Sequence, residues 1–73
     1  MRVAVVKATF DEDAQVWYVE NSDIEGLHAE GNTFEAFRRN VADAAADLLE
    51  GGGPGEVQIE IIAQASICAR VAA

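Results

Sequence analysis

Seventy-three residues are enough for one folded domain and too few for two, and a domain this short buries only about 60% of the surface its unfolded chain exposes. Thirteen acidic side chains against five basic ones leave a formal charge of −8, a field that repels nucleic-acid phosphates and attracts a basic protein. With 51% hydrophobic residues the chain has the means to build a core, and its single cysteine, Cys68, excludes an internal disulfide and a multi-cysteine metal site.

Residues 2–10 are mostly β-branched and apolar, without glycine or proline, and predict a first strand. Asp11, Glu12, Asp13 and Ala14 break that run as a turn, and Val16, Trp17, Tyr18 and Val19 resume it, so the two strands form a hairpin. Alternation of side chains puts one of Trp17 and Tyr18 in the core and the other on the surface. Turn formers follow from Asn21 to Gly26, with Gly26 available for a positive φ, and residues 27–30 predict a short third strand ended by Gly31 and Asn32.

Thr33 stands where a helix N-cap belongs, with Glu35 in the positive first turn. From there Phe34, Phe37, Val41, Ala44, Ala45, Leu48 and Leu49 recur at three- and four-residue steps, which predicts an amphipathic helix lying on one face of the sheet. Arg38 and Arg39 fall on its solvated side, and two bases make no nucleic-acid patch. Gly51, Gly52, Gly53, Pro54 and Gly55 stop the helix. Val57, Gln58, Ile59, Glu60 and Ile61 then alternate with period two, a fourth strand whose apolar face meets Phe37, Val41 and Leu48. Residues 64–73 read as an edge strand, an extended arm or a frayed tail, and Cys68 within them reads as a small buried apolar residue.

The fold class is therefore α+β: a three-stranded antiparallel meander, one helix and a further strand, in the order β-β-β-α-β. Residues 1–73 form a single domain with its core at about residues 2–63. So small a sheet has edges to cover, and self-association as a homodimer, by edge pairing through residues 66–71, is expected. Lys7 interrupts the apolar N-terminal run well short of a signal peptide or membrane span, which predicts a cytoplasmic protein with no membrane contact.

Chemistry-bearing residues are sparse. His28 and Cys68 are single and distant, and a Ser22, His28 and Asp23 combination lacks the strand-to-helix elbow that exposes a nucleophile, so no enzyme and no catalytic residue is read. His28 reads instead as an exposed strand residue beside Glu30. Asp11, Glu12 and Asp13 lack the spacing and closing glutamate of a calcium loop, so no metal or other cofactor is expected. What remains is a candidate partner-binding set of Asp11, Glu12, Asp13, Trp17, Tyr18, Glu20, Asp23 and Glu25: carboxylates for a basic partner and an aromatic anchor.

The ordered series Phe10-Asp11, Trp17-Tyr18-Val19, Asp23-Ile24-Glu25-Gly26-Leu27, Glu30-Gly31-Asn32-Thr33, Glu35-Ala36 and Asn40 resembles the HicB-like antitoxins, and also a neighbouring family of short prokaryotic domains of unknown function. Gly26, Gly31, Asn32, Thr33 and Glu35 carry the structural part of that motif. The resemblance implies a partial ferredoxin-like two-layer fold, dimerisation, and neutralisation of a small basic RNA-cleaving toxin by covering its active surface. Many such antitoxins add a C-terminal DNA-binding module, for which these 73 residues leave no room. The alternatives are an orphan dimeric module without a toxin and, from another class, a small-ligand or enzymatic domain.

Overall fold

A computed structural model describes residues 2–50 and 55–72. Four strands and one helix follow in the order β1 (Arg2–Asp11), β2 (Val16–Ser22), β3 (Glu30–Gly31), α1 (Phe34–Leu49) and β4 (Val57–Gln64). β1 and β2 form the expected hairpin. Its turn is held by Asp11, whose Oδ1 accepts from the N–H groups of Asp13 (2.9 Å) and Ala14 (3.2 Å), and whose carbonyl accepts from Gln15 N–H (2.7 Å). Gln15 closes the turn at φ 58°, a left-handed conformation for which its residue type gives no signal.

The sheet order is β3-β2-β1-β4. The first three strands make the antiparallel meander, but β4 returns through the helix to lie parallel to β1, from Arg2 opposite Val57 to Thr9 opposite Gln64. The fourth strand is therefore the neighbour of the first, and the two longest strands carry the sheet. Two boundaries need correction. The third strand is only Glu30–Gly31, pairing with Tyr18 and Trp17, and Leu27, His28 and Ala29 precede it as loop. Leu27 is drawn out of strand pairing because its side chain is buried in the core, and its N–H donates to the Ile24 carbonyl at 3.2 Å. The second strand runs on to Ser22 through a bulge between Lys7 and Ala8 of its partner, where Glu20 is the extra residue.

The core lies between α1 and one face of the sheet: Ala4, Val6 and Ala8 from β1, Ile24 and Leu27 from the loop, and Phe37, Val41 and Ala45 from the helix. Phe37, Val6 and Val41 are the largest fully buried side chains and fill the space between the two layers. Phe10, Trp17, Phe34 and Phe37 stack in succession at one end, with centroid separations of 5.3, 5.2 and 6.1 Å. Leu48, expected against β4, is instead 48% exposed. Val57, Ile59 and Ile61 of β4 are only half-buried, because the helix covers the adjacent β1 more fully.

Thr33 caps the helix as the sequence predicts, its Oγ1 accepting from Ala36 N–H at 3.0 Å. The helix reaches Leu49 with Glu50 as C-cap. The glycine-proline stop at residues 51–54 falls outside the described residues. Residues 65–72 adopt no regular element and are exposed throughout, Ile67 at 94% and Val71 at 87%. Among the described residues this segment, called the arm below, forms no strand, and Cys68 on it is exposed rather than buried. The longest dimension is 59 Å against 21 and 18 Å, and the radius of gyration is 14.7 Å, where a compact chain of this length has about 11 Å.

Candidate functional site: the open face of the sheet

One face of the sheet carries the helix, and among the described residues the other carries nothing. Alternation along β1 sends Ala4, Val6 and Ala8 to the helix side and Val3, Val5, Lys7, Thr9 and Asp11 to the open side. The pairing places Val16 opposite Asp11 and Tyr18 opposite Thr9, with Glu60 beside Val5 and Ile62 beside Lys7. This face mixes exposed apolar side chains, Val3 at 57% and Ile62 at 58%, with carboxylates. Trp17 is the inward member of the aromatic pair, edge-on to both Phe10 and Phe34, and Tyr18 is the outward one.

Next to Tyr18, where the sheet ends at β3, a hollow of about 330 Å³ is lined by Asp11, Val16, Tyr18, His28, Ala29 and Glu30. It joins two carboxylates, a phenol and an imidazole on an edge anchored from behind. Asn40 of the helix donates from Nδ2 to the Glu30 carbonyl at 2.7 Å, and Gly31 fits against the first turn of α1. A Cβ at Gly31 would lie 2.7 Å from Phe37 Cα and 2.9 Å from Ala36 C, so only glycine permits this approach. His28 lies in the loop before β3, not in a strand, and is exposed.

The structure divides the sequence-derived set. Asp11, Glu12 and Asp13 sit at the β1–β2 turn, with Glu12 and Asp13 exposed. Asp23 and Glu25 lie beyond the other end of β2, about 20 Å away by strand length, beside a second hollow of about 380 Å³ that Arg2, Leu48 and Leu49 also line. Asp23 is occupied structurally. Its Oδ2 accepts from Val5 N–H at 2.9 Å and its own N–H donates to the Val5 carbonyl at 3.0 Å, which continues the ladder past the end of β2. Glu20, placed outward by the bulge, pairs with Lys7 at 3.1 Å. The open face thus gathers Asp11, Tyr18 and Glu20 and leaves Trp17, Asp23 and Glu25 out.

Glu30, His28 and Glu60 belong to this face and were not in the sequence set. Pairing of Glu30 with Tyr18 was the signal for the first, hidden because β3 is two residues long. Of the structural motif, Gly26 takes φ 81°, Thr33 caps, Glu35 reaches Arg38 at 3.5 Å on the exposed helix surface, and Asn32 is an exposed bend before the cap. The Ser22 hydroxyl donates to the Ile24 carbonyl (2.6 Å) and accepts from Ile24 N–H (3.0 Å), so it is locked in its own turn. Among the described residues no group of three or more His, Cys, Asp or Glu is arranged to hold a metal ion, and no helix is long and apolar enough to cross a membrane.

Residues 3–73 match the domain of unknown function DUF1902. The chain belongs to this family. A DUF1902 domain accordingly spans nearly all of it, and the arm is inside the matched region. The fold is similar to the crystal structure of a hypothetical protein from the extremely thermophilic bacterium Thermus thermophilus, with a TM-score of 0.66 and 31% sequence identity over 96% of this chain and 100% of that one. No curated protein matches the chain.

Proposed function

We propose that this DUF1902 domain is a protein-binding module without chemistry of its own, a HicB-like antitoxin that covers the active surface of a small basic RNA-cleaving protein in the cytoplasm. The observation that carries this reading is the uncovered sheet face, where Tyr18, Asp11, Glu20, Glu30 and Glu60 are displayed on a backbone held rigid from behind by the helix. A chain of charge −8 steers a basic partner towards it, and the partly exposed Tyr18, with exposed Val3 and Ile62 elsewhere on the same face, supplies apolar contact once the partner has docked. The ordered motif from Phe10 to Asn40 supports the antitoxin reading by its resemblance, and within it Gly31 and Asn40 hold this edge of the sheet against the helix that Thr33 caps.

The test is capture from the native cytoplasm with tagged protein at low and moderate salt. Recovery of one small basic protein whose RNA cleavage stops on adding this chain supports the reading. Recovery of the chain alone overturns it in favour of the second reading, an orphan self-associating module, which the exposed apolar arm favours.

A further inference from the structure

The arm continues the pattern of β4 without a break. At odd positions the sequence reads Val57, Ile59, Ile61, Ala63, Ala65, Ile67, Ala69 and Val71, all apolar, while the even positions from Gln58 to Arg70 are polar except for Ile62 and Cys68. That is a two-residue period sustained over fifteen residues, the mark of a strand with one buried face. Only the first half has a sheet beside it. β4 is an outer strand with one free edge, and the arm has no neighbour at all among the described residues. Residues 57–72 at about 3.3 Å each span roughly 53 Å, close to the 59 Å long axis, so the arm runs on from β4 rather than turning back. No glycine, proline, asparagine or aspartate lies between Val57 and Ala73 to make such a turn.

We infer that the arm pairs antiparallel with the free β4 edge of a second copy of this chain, and that the two copies exchange arms about a two-fold axis through Ala65. The lengths agree: β4 has eight residues and so has the arm, residues 65–72. The two-fold itself restricts the register. An axis perpendicular to a shared sheet keeps each side chain on its own face, so residues that pair must have the same parity and one residue must face its own copy. With Ala65 on the axis, Glu60 lies opposite Arg70 of the second copy. The arm is the acid-free end of this acidic chain, and Arg70 is its only charged side chain, so the pairing is complementary as well as regular.

On the helix side the same register sets Ile59 opposite Val71 and Ala63 opposite Ile67 of the second copy. These are the side chains left exposed on the arm, and they meet the strand whose Val57, Ile59 and Ile61 the helix leaves half-covered. Between α1 and that free edge runs a hollow of about 370 Å³, lined by Val41, Ala42, Ile59 and Ile61 and rimmed by Glu35, Arg38 and Arg39, into which an added strand brings apolar side chains. Both free edges are satisfied at once and the assembly closes at two copies. The interface draws Glu60 and Ile62 from the β4 margin of the open face but leaves Asp11, Tyr18 and the β3 edge untouched, and its test on the chain alone needs no toxin.

The experiment uses the purified chain alone. Light scattering gives the mass, and a variant with Ala65→Cys in a Cys68→Ala background is exposed to mild oxidant. Paired residues on the axis have Cα atoms about 5 Å apart, within disulfide reach, so a covalent dimer is expected. The native chain, whose two Cys68 residues stand about 20 Å apart, gives none under the same conditions. Arg70→Glu and Glu60→Arg are each expected to weaken the dimer about tenfold, and the double exchange to restore it to within about twofold. A monomeric mass at roughly 100 µM overturns the proposal. So does a dimer that resists the charge variants and gives no covalent species with Ala65→Cys.

Discussion

Gly26 and Gly31 stand five residues apart, and each is required for a different physical reason. At Gly26 the backbone adopts φ 81° and the nearest atom to an added Cβ, Leu48 Cδ2, is 4.0 Å away, so the demand is conformational. At Gly31 the added carbon would strike the backbone of Ala36 and Phe37, which cannot give way without shifting the first turn of α1. Gly26→Ala is expected to cost about 1–2 kcal/mol and Gly26→Asn clearly less, because asparagine tolerates left-handed backbone. Gly31→Ala and Gly31→Asn are both expected to cost about 3 kcal/mol or more, a pattern that denaturant unfolding of the four variants will show. Equal costs for the two asparagine variants would refute the distinction. Thr33→Ala belongs beside them at about 1 kcal/mol, since it orphans the Ala36 N–H. The N-cap and the positive φ were legible in the sequence, because each depends on a residue type and its immediate neighbours. The clash at Gly31 was not, because it is created by residues that the fold, and not the chain order, brings against it.

Elements are legible in the sequence where periodicity is long and hidden where tertiary contacts override it. Sixteen residues of helix and the ten- and eight-residue strands announce themselves. β3 does not: Leu27 looks like strand but is consumed by the core, and Gly31 looks like a terminator but pairs with Trp17. The parallel return of β4 was equally hidden, since its alternation is the same whichever neighbour it takes. The aromatic row ties three elements together, β1 through Phe10, β2 through Trp17 and α1 through Phe34 and Phe37. Trp17→Ala is therefore expected to cost about 3–5 kcal/mol, against about 1 kcal/mol for Asn40→Ala, which removes only one hydrogen bond from the same junction. Thermal unfolding of the two variants orders them. If Trp17→Ala were the milder, the row would be incidental to the packing.

For the whole molecule the governing quantity is the charge of −8 on a 7.8 kDa body. Lys7 with Glu20 and Arg38 with Glu35 are the two ion pairs among the described residues; their cations are already counted in that charge, and both pairs are exposed and contribute little. The acids therefore repel one another, a cost the domain bears in exchange for solubility and attraction to basic surfaces. The acidic balance was plain from composition, but its distribution was not: a set that looked like one patch is split between the two ends of β2, and Asp11 and Asp23 commit their carboxylates to backbone N–H groups. Glu12 and Asp13 have no side-chain partner among the described residues, so reversing these two to lysine tests the field without touching the turn. That variant is expected to bind a basic partner more weakly and with less salt sensitivity while its unfolding midpoint holds or rises. Raising ionic strength from about 20 to 500 mM shortens the screening length from roughly 20 Å to about 4 Å, less than the width of this molecule. At fixed protein concentration the native chain should then gain on the order of 1 kcal/mol, which for a domain this small is about 4–8 °C in the unfolding midpoint. The Glu12 and Asp13 reversal should gain less, since it halves the net charge before any salt is added. A midpoint insensitive to salt in both would mean that the carboxylates lie too far apart to oppose folding, and that their accumulation serves the outer field alone.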